Sequence, residues 1–312
     1  MFSRFAFRTL SALALMCAGA AQAEGIKPPD KVSFYFAAHE DDWQLFMNPS
    51  AFEDVSKGAA KTVFVHVTAG DDGAGLGTKG RKFPFYRARE NGAEMAIRFM
   101  ADADQAPAER IVEHPLLNGH ALERISYRNT VAYFLRVPDG NAFGTGYAAT
   151  GYQSLRRLAE RTNNELAAID GSTVYRGWDD LVATLRALVI FERGKSGLVQ
   201  INAAELDPRL NPRDHSDHLM TAKAAYEAIQ DMPSVRRVSY VDYASMNMPP
   251  NLNAEQRDLE SSVFAVTLAG VLALDHRVAW HHYDASFVGR NYFRVVEPAG
   301  HCGGATLTAH AR

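Results

Sequence analysis

Apolar and polar positions along the chain fall into two alternating rhythms. VSFYFAA (32–38) and TVFVHVTA (62–69) are continuous β-branched and aromatic runs, the pattern of buried strands. GLVQINAA (197–204) and VRRVSYVDY (235–243) read as further strands, and ALERISY (121–127) with TVAYFLRV (130–137) as a strand pair. Between them, Tyr86 to Met100, Trp178 to Phe191, Asp214 to Ile229 and Ala254 to about Leu274 carry helical periodicity. Strands alternating with helices predict an α/β fold, a three-layer αβα Rossmann-like arrangement around a mostly parallel sheet. The apolar run 263–274 is too short for a membrane span and reads as a core helix. PDGNAFGTGYAATGYQS (138–154) breaks the rhythm. A loop of that length is a candidate lid or binding loop, with a plain surface insertion as the alternative.

The first 23 residues have a different character. Arg4 and Arg8 precede a short apolar run from Leu10 to Ala21, and Ala21-Gln22-Ala23 is a small-x-small cleavage site. This predicts a secretory signal peptide over 1–23, one domain over 24–312, and a periplasmic or extracellular location. Once the leader is removed no membrane segment is expected. Lys and Arg number 33 against 36 Asp and Glu, a net charge of −3 with no basic block, which argues against a nucleic-acid partner. Of the two cysteines, only Cys302 lies beyond the leader, so an internal disulfide is excluded there and the core must supply stability.

Chemistry concentrates in two places. AAHEDDWQLF (37–46) sets Glu40, Asp41 and Asp42 in an apolar context directly after the first strand. Like charges beside a hydrophobic strand are costly unless a positive group offsets them. DPRLNPRDHSDHLMTA (207–222) also follows a strand and opens a helix, with His215 and His218 on one helical face. Asp214 and Asp217 are placed to cap or orient that helix. A cation between the clusters would resolve the electrostatic problem. Catalytic zinc takes three imidazole or carboxylate ligands and keeps a position for water. His39, one of the acids and one of the later histidines make such a set, leaving a carboxylate for general-base work. A competing metallo-β-lactamase-type pattern, H-x-H-x-D-H, would need a ligand at Arg213, which cannot bind zinc. His66, His281 and His282 read as structural or surface histidines, and Trp43 as core or pocket wall.

AHEDDWQLF together with HSDH resembles the LmbE-like/PIG-L family of zinc-dependent N-acetylglucosaminyl deacetylases, whose members carry A-H-P-D-D-E after the first strand and H-x-D-H late in the chain. VTAGDDG (67–73), YRARENGA (86–93) and FLRVPDG (134–140) are similar to further segments of that family. Glu40 stands where the family has proline and Trp43 where it has glutamate, a departure shared with a secreted branch. The resemblance implies His39, Asp42 and His218 as ligands of one Zn²⁺ per chain, with Fe²⁺ or Co²⁺ as substitutes. It implies Asp41 as general base, a protonated His215 stabilising the oxyanion, and Asp217 orienting the imidazole of His215. It offers Arg87 and Asp139 for sugar hydroxyls. Arg87 could equally pair with Glu90, and Asp139 could simply make a turn. The expected activity is hydrolysis of the acetamide of an N-acetylglucosamine-type sugar or glycan. The alternatives are an amidohydrolase acting on another acylated amine, or a sugar-binding protein without turnover.

Overall fold

The structure, a computed structural model, describes residues 30–57, 61–103, 105–278, 280–297 and 307–309. The expected leader and Cys302 lie outside them. In chain order the elements are β1 (Lys31–Ala37), α1 (Asp42–Phe46), α2 (Ser50–Lys57), β2 (Lys61–Thr68), α3 (Phe85–Asp102), β3 (Ile111–Glu113), β4 (Leu116–Leu117), β5 (His120–Ala121), β6 (Arg124–Tyr127), β7 (Thr130–Val137), α4 (Leu155–Ala159), β8 (Leu166–Ala167), β9 (Val174–Tyr175), α5 (Trp178–Arg193), β10 (Leu198–Ala204), α6 (Ser216–Ala228), β11 (Val235–Tyr240), α7 (Ala254–Ala273), α8 (Trp280–Ser286), β12 (Tyr292–Val296) and β13 (Leu307–Ala309).

Nine strands form one sheet in the order β13-β12-β11-β10-β1-β2-β7-β6-β3. The central five, β11-β10-β1-β2-β7, run parallel, and both flanks are antiparallel. Side chains alternate across each strand. Val32, Phe34 and Phe36 of β1 join a core with α4, α5 and α6 residues such as Leu158, Leu185 and Ala225. Tyr35 and Ala37 join a second core on the other face with Trp43, Ile97 and Phe264 from α1, α3 and α7. The three expected layers are therefore present. Polar Ser33 and Asn202 sit inside these strands because they are satisfied there: Asn202 Nδ2 donates to Ser33 Oγ at 3.1 Å and to the Phe34 carbonyl at 2.9 Å.

The strand order reverses between β1 and β10. The chain runs outward from β1 through β2 to β7, then returns to β1's other side with β10 and continues outward to β11. Ligands bind beyond the carboxyl ends of parallel strands at such a switch point. Helices α3 and α7 cross glycine on glycine: a Cβ at Gly270 would lie 2.6 Å from Gly92 Cα. The 138–154 segment is tied down rather than splayed out. Gly146 N donates to Gly140 O at 2.9 Å, and Ser216 N at the start of α6 donates to Ala142 O at 3.1 Å. Among the described residues no helix is long and apolar enough to cross a membrane.

Candidate metal centre

Every acidic or imidazole group of the central cluster leaves the carboxyl end of a parallel strand. His39, Glu40, Asp41 and Asp42 follow β1, Asp71 and Asp72 follow β2, and Asp139 follows β7. Asp214 to His218 follow β10, and Asp242 follows β11. The sequence pairs that looked remote thus converge on the switch point.

At its centre His39 Nδ1, His218 Nε2 and Asp42 Oδ1 form a triangle with edges of 3.2, 3.2 and 3.4 Å. Zinc bonds of about 2.0–2.2 Å in a tetrahedron set ligand atoms roughly 3.3–3.6 Å apart, so this donor set fits one ion with little movement. Three overlapping groups are also close enough to share a cation: His39–His215–His218, His39–Asp139–His215–Asp217 and Asp214–His218–Asp242.

The triangle is held from behind. His218 Nδ1 meets Asp214 Oδ1 at 2.9 Å and Asp242 Oδ2 at 3.3 Å, which turns Nε2 inward. Asp42 Oδ2 accepts the His39 backbone N–H at 2.7 Å, leaving Oδ1 for the triangle. His39 Nε2 has no hydrogen-bond partner among the described residues and faces Asp217 Oδ2 at 3.7 Å and Asp139 Oδ2 at 3.8 Å. Burial alone would lower the His39 pKa, but Asp42, Asp217 and Asp139 reverse this and raise it to about 10. Burial opposes protonation of His218 in the same way, and Asp42 and Asp214 raise it overall. The aspartates around His39 and His218 make a field that favours positive charge on those two rings.

The charge problem posed by the sequence has a second answer that was not foreseen. Arg89 of α3 bonds Asp41 Oδ1 through Nη2, lies 3.1 Å from Glu40 Oε2, and donates to Gly70 O at 2.9 Å. Burial still pushes Glu40 up to about 8, with Arg89 opposing and Glu90 adding to the rise. The acid run thus has partners within the protein as well: the arginine serves Glu40 and Asp41, and the histidines serve Asp42.

Other expectations change as well. Arg87 is half exposed, pairs with Glu90 at 2.8 Å, and does not line the central cavity, whereas Arg89 does. Asp217 does not orient His215, because Asp217 Oδ2 and His215 Nδ1 are 4.0 Å apart. Asp217 Oδ2 instead accepts Gly140 N–H at 2.7 Å and faces His39. His215 is the N-cap of α6, with Nδ1 accepting the Asp217 backbone N–H at 3.1 Å. That bond puts the proton of a neutral ring on Nε2. Burial, with His39 and His218 nearby, lowers the His215 pKa to about 2, which works against the protonated form that the resemblance implies.

A cavity of about 380 Å³ opens onto the cluster, lined by His39, Asp41, Asp42 and Asp139 and walled by Tyr147 and Tyr283. Asp139 accepts the Asn141 N–H on Oδ1 at 2.8 Å. Tyr147 comes from the 138–154 loop and bonds Asp72 at 2.9 Å. His282 lines the cavity, but neither it nor His281 joins a cation-capable group among the described residues. His66 is structural: Nε2 accepts from Trp43 Nε1 at 3.1 Å and Nδ1 meets Tyr133 O at 3.1 Å. Sequence reasoning missed Arg89, Asp242, Tyr147 and Tyr243, the last lining the cavity with its ring centre 5.0 Å from that of His218. Only Asp242 carried a usable signal, an acid just past a strand's carboxyl end.

No protein-family model and no curated protein matches the chain. Among solved structures it is similar to N,N'-diacetylchitobiose deacetylase from Pyrococcus horikoshii, complexed with its inhibitor MPG. The likeness covers 86% of this chain and 84% of that one at 14% identity, with a TM-score of 0.47. A likeness at that score decides neither fold nor chemistry, and the α/β class stands on the sheet itself.

Proposed function

We propose that the protein is a metal-dependent N-deacetylase that hydrolyses the acetamide of an N-acetylglucosamine-type sugar or glycan. The observation that carries this reading is the His39–Asp42–His218 triangle, with Asp41 beside it on the wall of an open cavity. The motif resemblance points the same way.

His39 Nδ1, Asp42 Oδ1 and His218 Nε2 would hold the ion, Zn²⁺ by donor type, with Fe²⁺ or Co²⁺ compatible. When bound, it supplies Lewis acidity, polarising a carbonyl and bringing the pKa of water near 7. Asp41 takes the proton from the attacking water. Arg89 fixes one of its oxygens and leaves the other for that task. His215, its Nδ1 engaged by the backbone of α6, offers the Nε2 proton to the carbonyl oxygen as negative charge develops there. The C–N bond then breaks, Asp41 returns its proton to the amine, and acetate leaves. Asp217 and Asp139 face the outer nitrogen of the His39 ring and favour positive charge on it. Asp72 and Asp139 are available to sugar hydroxyls, and Tyr147 and Tyr283 to sugar faces. A binding protein without turnover would have no use for a carboxylate held beside the ligand triangle.

Zinc-loaded protein is expected to release acetate from N-acetylglucosamine or chitin oligomers. The Asp41→Asn variant should keep its metal and lose at least about a hundredfold in rate. Near wild-type turnover in Asp41→Asn would overturn the base assignment, and no release from any N-acetylated sugar would overturn the substrate class.

A further inference from the structure

A second cavity, of about 780 Å³, adjoins the first and shares His215 and Tyr243 with it. Its character is different. Phe143, Leu219 and Met220 give it an apolar floor, and three cations, Arg156, Arg213 and Lys223, stand around it. Two of these are neutralised by their own helix neighbours: Arg156 pairs with Glu160 at 2.8 Å, and Lys223 pairs with Glu227. Arg213 is not neutralised. Its side chain has no hydrogen bond, ion pair or ring contact among the described residues.

The placement of Arg213 is built. Its backbone has φ +57, a left-handed conformation that is strained for a non-glycine residue. The segment around it is locked. Asn211 Nδ2 bonds Glu205 O at 3.1 Å and Asp214 Oδ2 at 2.8 Å, and Asp214 in turn holds His218. The backbone that carries Arg213 is therefore held in register with the metal centre, and its exposed side chain stands beside the apolar floor with its charge unpaired. Phe143, 76% exposed, extends the same floor into solvent from a loop whose backbone is bonded to the start of α6.

We propose that this second cavity is a substrate subsite for an apolar substituent ending in one anionic group, a carboxylate or a phosphate, with Arg213 as its counter-ion. The proposal rests on the deacetylase reading for what lies in the first cavity. A sugar whose acetamide reaches the His39–Asp42–His218 triangle would carry this substituent past His215 and Tyr243 onto Phe143 and Leu219. The cavity offers apolar contact and one cation without a partner, since Asp214 beside it is engaged by Asn211 and His218, so a neutral oligosaccharide would leave Arg213 unpaired.

The test uses three N-acetyl-β-glucosaminides, with 4-carboxyphenyl, 4-phosphophenyl and 4-methylphenyl aglycones, on the zinc-loaded full chain. Acetate release and calorimetric binding are both read. An anionic aglycone is expected to lower KM about tenfold relative to methylphenyl, the scale of one charged hydrogen bond, with kcat unchanged. The better of the carboxylate and phosphate arms identifies the natural group. Arg213→Gln should erase that preference and leave N-acetylglucosamine turnover intact, while Phe143→Ala should raise KM for all three aryl substrates alike. Equal KM values in the wild type, or a preference that survives Arg213→Gln, would overturn the subsite. If no substrate releases acetate, the deacetylase reading fails and calorimetry decides the subsite alone. A charge-dependent Kd abolished by Arg213→Gln then retains it, and a charge-independent Kd removes it.

Discussion

Glu40 shows how single positions decide this site. A buried carboxylate beside two others needs a cation, and Arg89 supplies it while also gripping Asp41. The local motif was legible because HEDD and HSDH each keep their members within a few residues. The arginine was not. Arg87 and Arg89 point about 200° apart around α3, and which one turns inward depends on a partner 48 residues away in sequence. The same limit hid Trp43 Nε1 donating to His66 Nε2, a bond that requires the imidazole unprotonated. Burial lowers the His66 pKa to about 4 in the folded chain, with the Tyr133 carbonyl opposing weakly. An exposed imidazole in the unfolded chain titrates near 6.5, so the unfolded chain binds the proton more tightly. The His66 contribution is therefore complete above about pH 6.5 and is lost as pH falls toward 4, a change of roughly 3 kcal/mol. Thermal melts in chelator from pH 7 to 4.5 should show wild type losing stability more steeply than His66→Gln, whose side-chain oxygen can still accept from Trp43. Parallel curves would remove His66 from the acid response.

At the scale of elements, the central strands and long helices were legible because their periodicity is local and uninterrupted. The antiparallel strand β12 was not, since YFRVV is half-buried along its length and lacks a continuous apolar run. Helix α1 is five residues long, too short to carry a period. Helix α6 begins at Ser216 rather than Asp214, because His215 caps it and Asp214 turns back to His218. The glycine crossing of α3 and α7 matters to the site because α3 carries Arg89. A Cβ at Gly92 would lie 2.6 Å from the Thr267 carbonyl oxygen, so the helices must separate to admit it. Gly92→Ala is expected to cost about 1–3 kcal/mol in denaturant unfolding and to reduce turnover as Arg89 moves. An unchanged midpoint would contradict this packing account.

For the whole molecule, five parallel strands deliver their carboxyl ends to one edge of the sheet, and the acids following four of them meet the histidines of two. That convergence was partly legible, since two clusters at strand ends implied a shared ligand. The contribution of Tyr147 from the 138–154 loop was not, because it depends on how that loop packs against Asp72 rather than on any local pattern, and Asp242 carried only the signal of an acid just past a strand. The central claim is that one divalent ion sits in the His39–Asp42–His218 triangle and that hydrolysis depends on it. The most direct measurement is a zinc titration of metal-free protein, reading bound metal and acetate release from an N-acetylated sugar together. The account predicts that activity rises in step with binding and saturates at one zinc per chain, and that His218→Ala neither retains the ion nor gains activity. Full zinc binding in His218→Ala, or acetate release that does not depend on zinc, would contradict it.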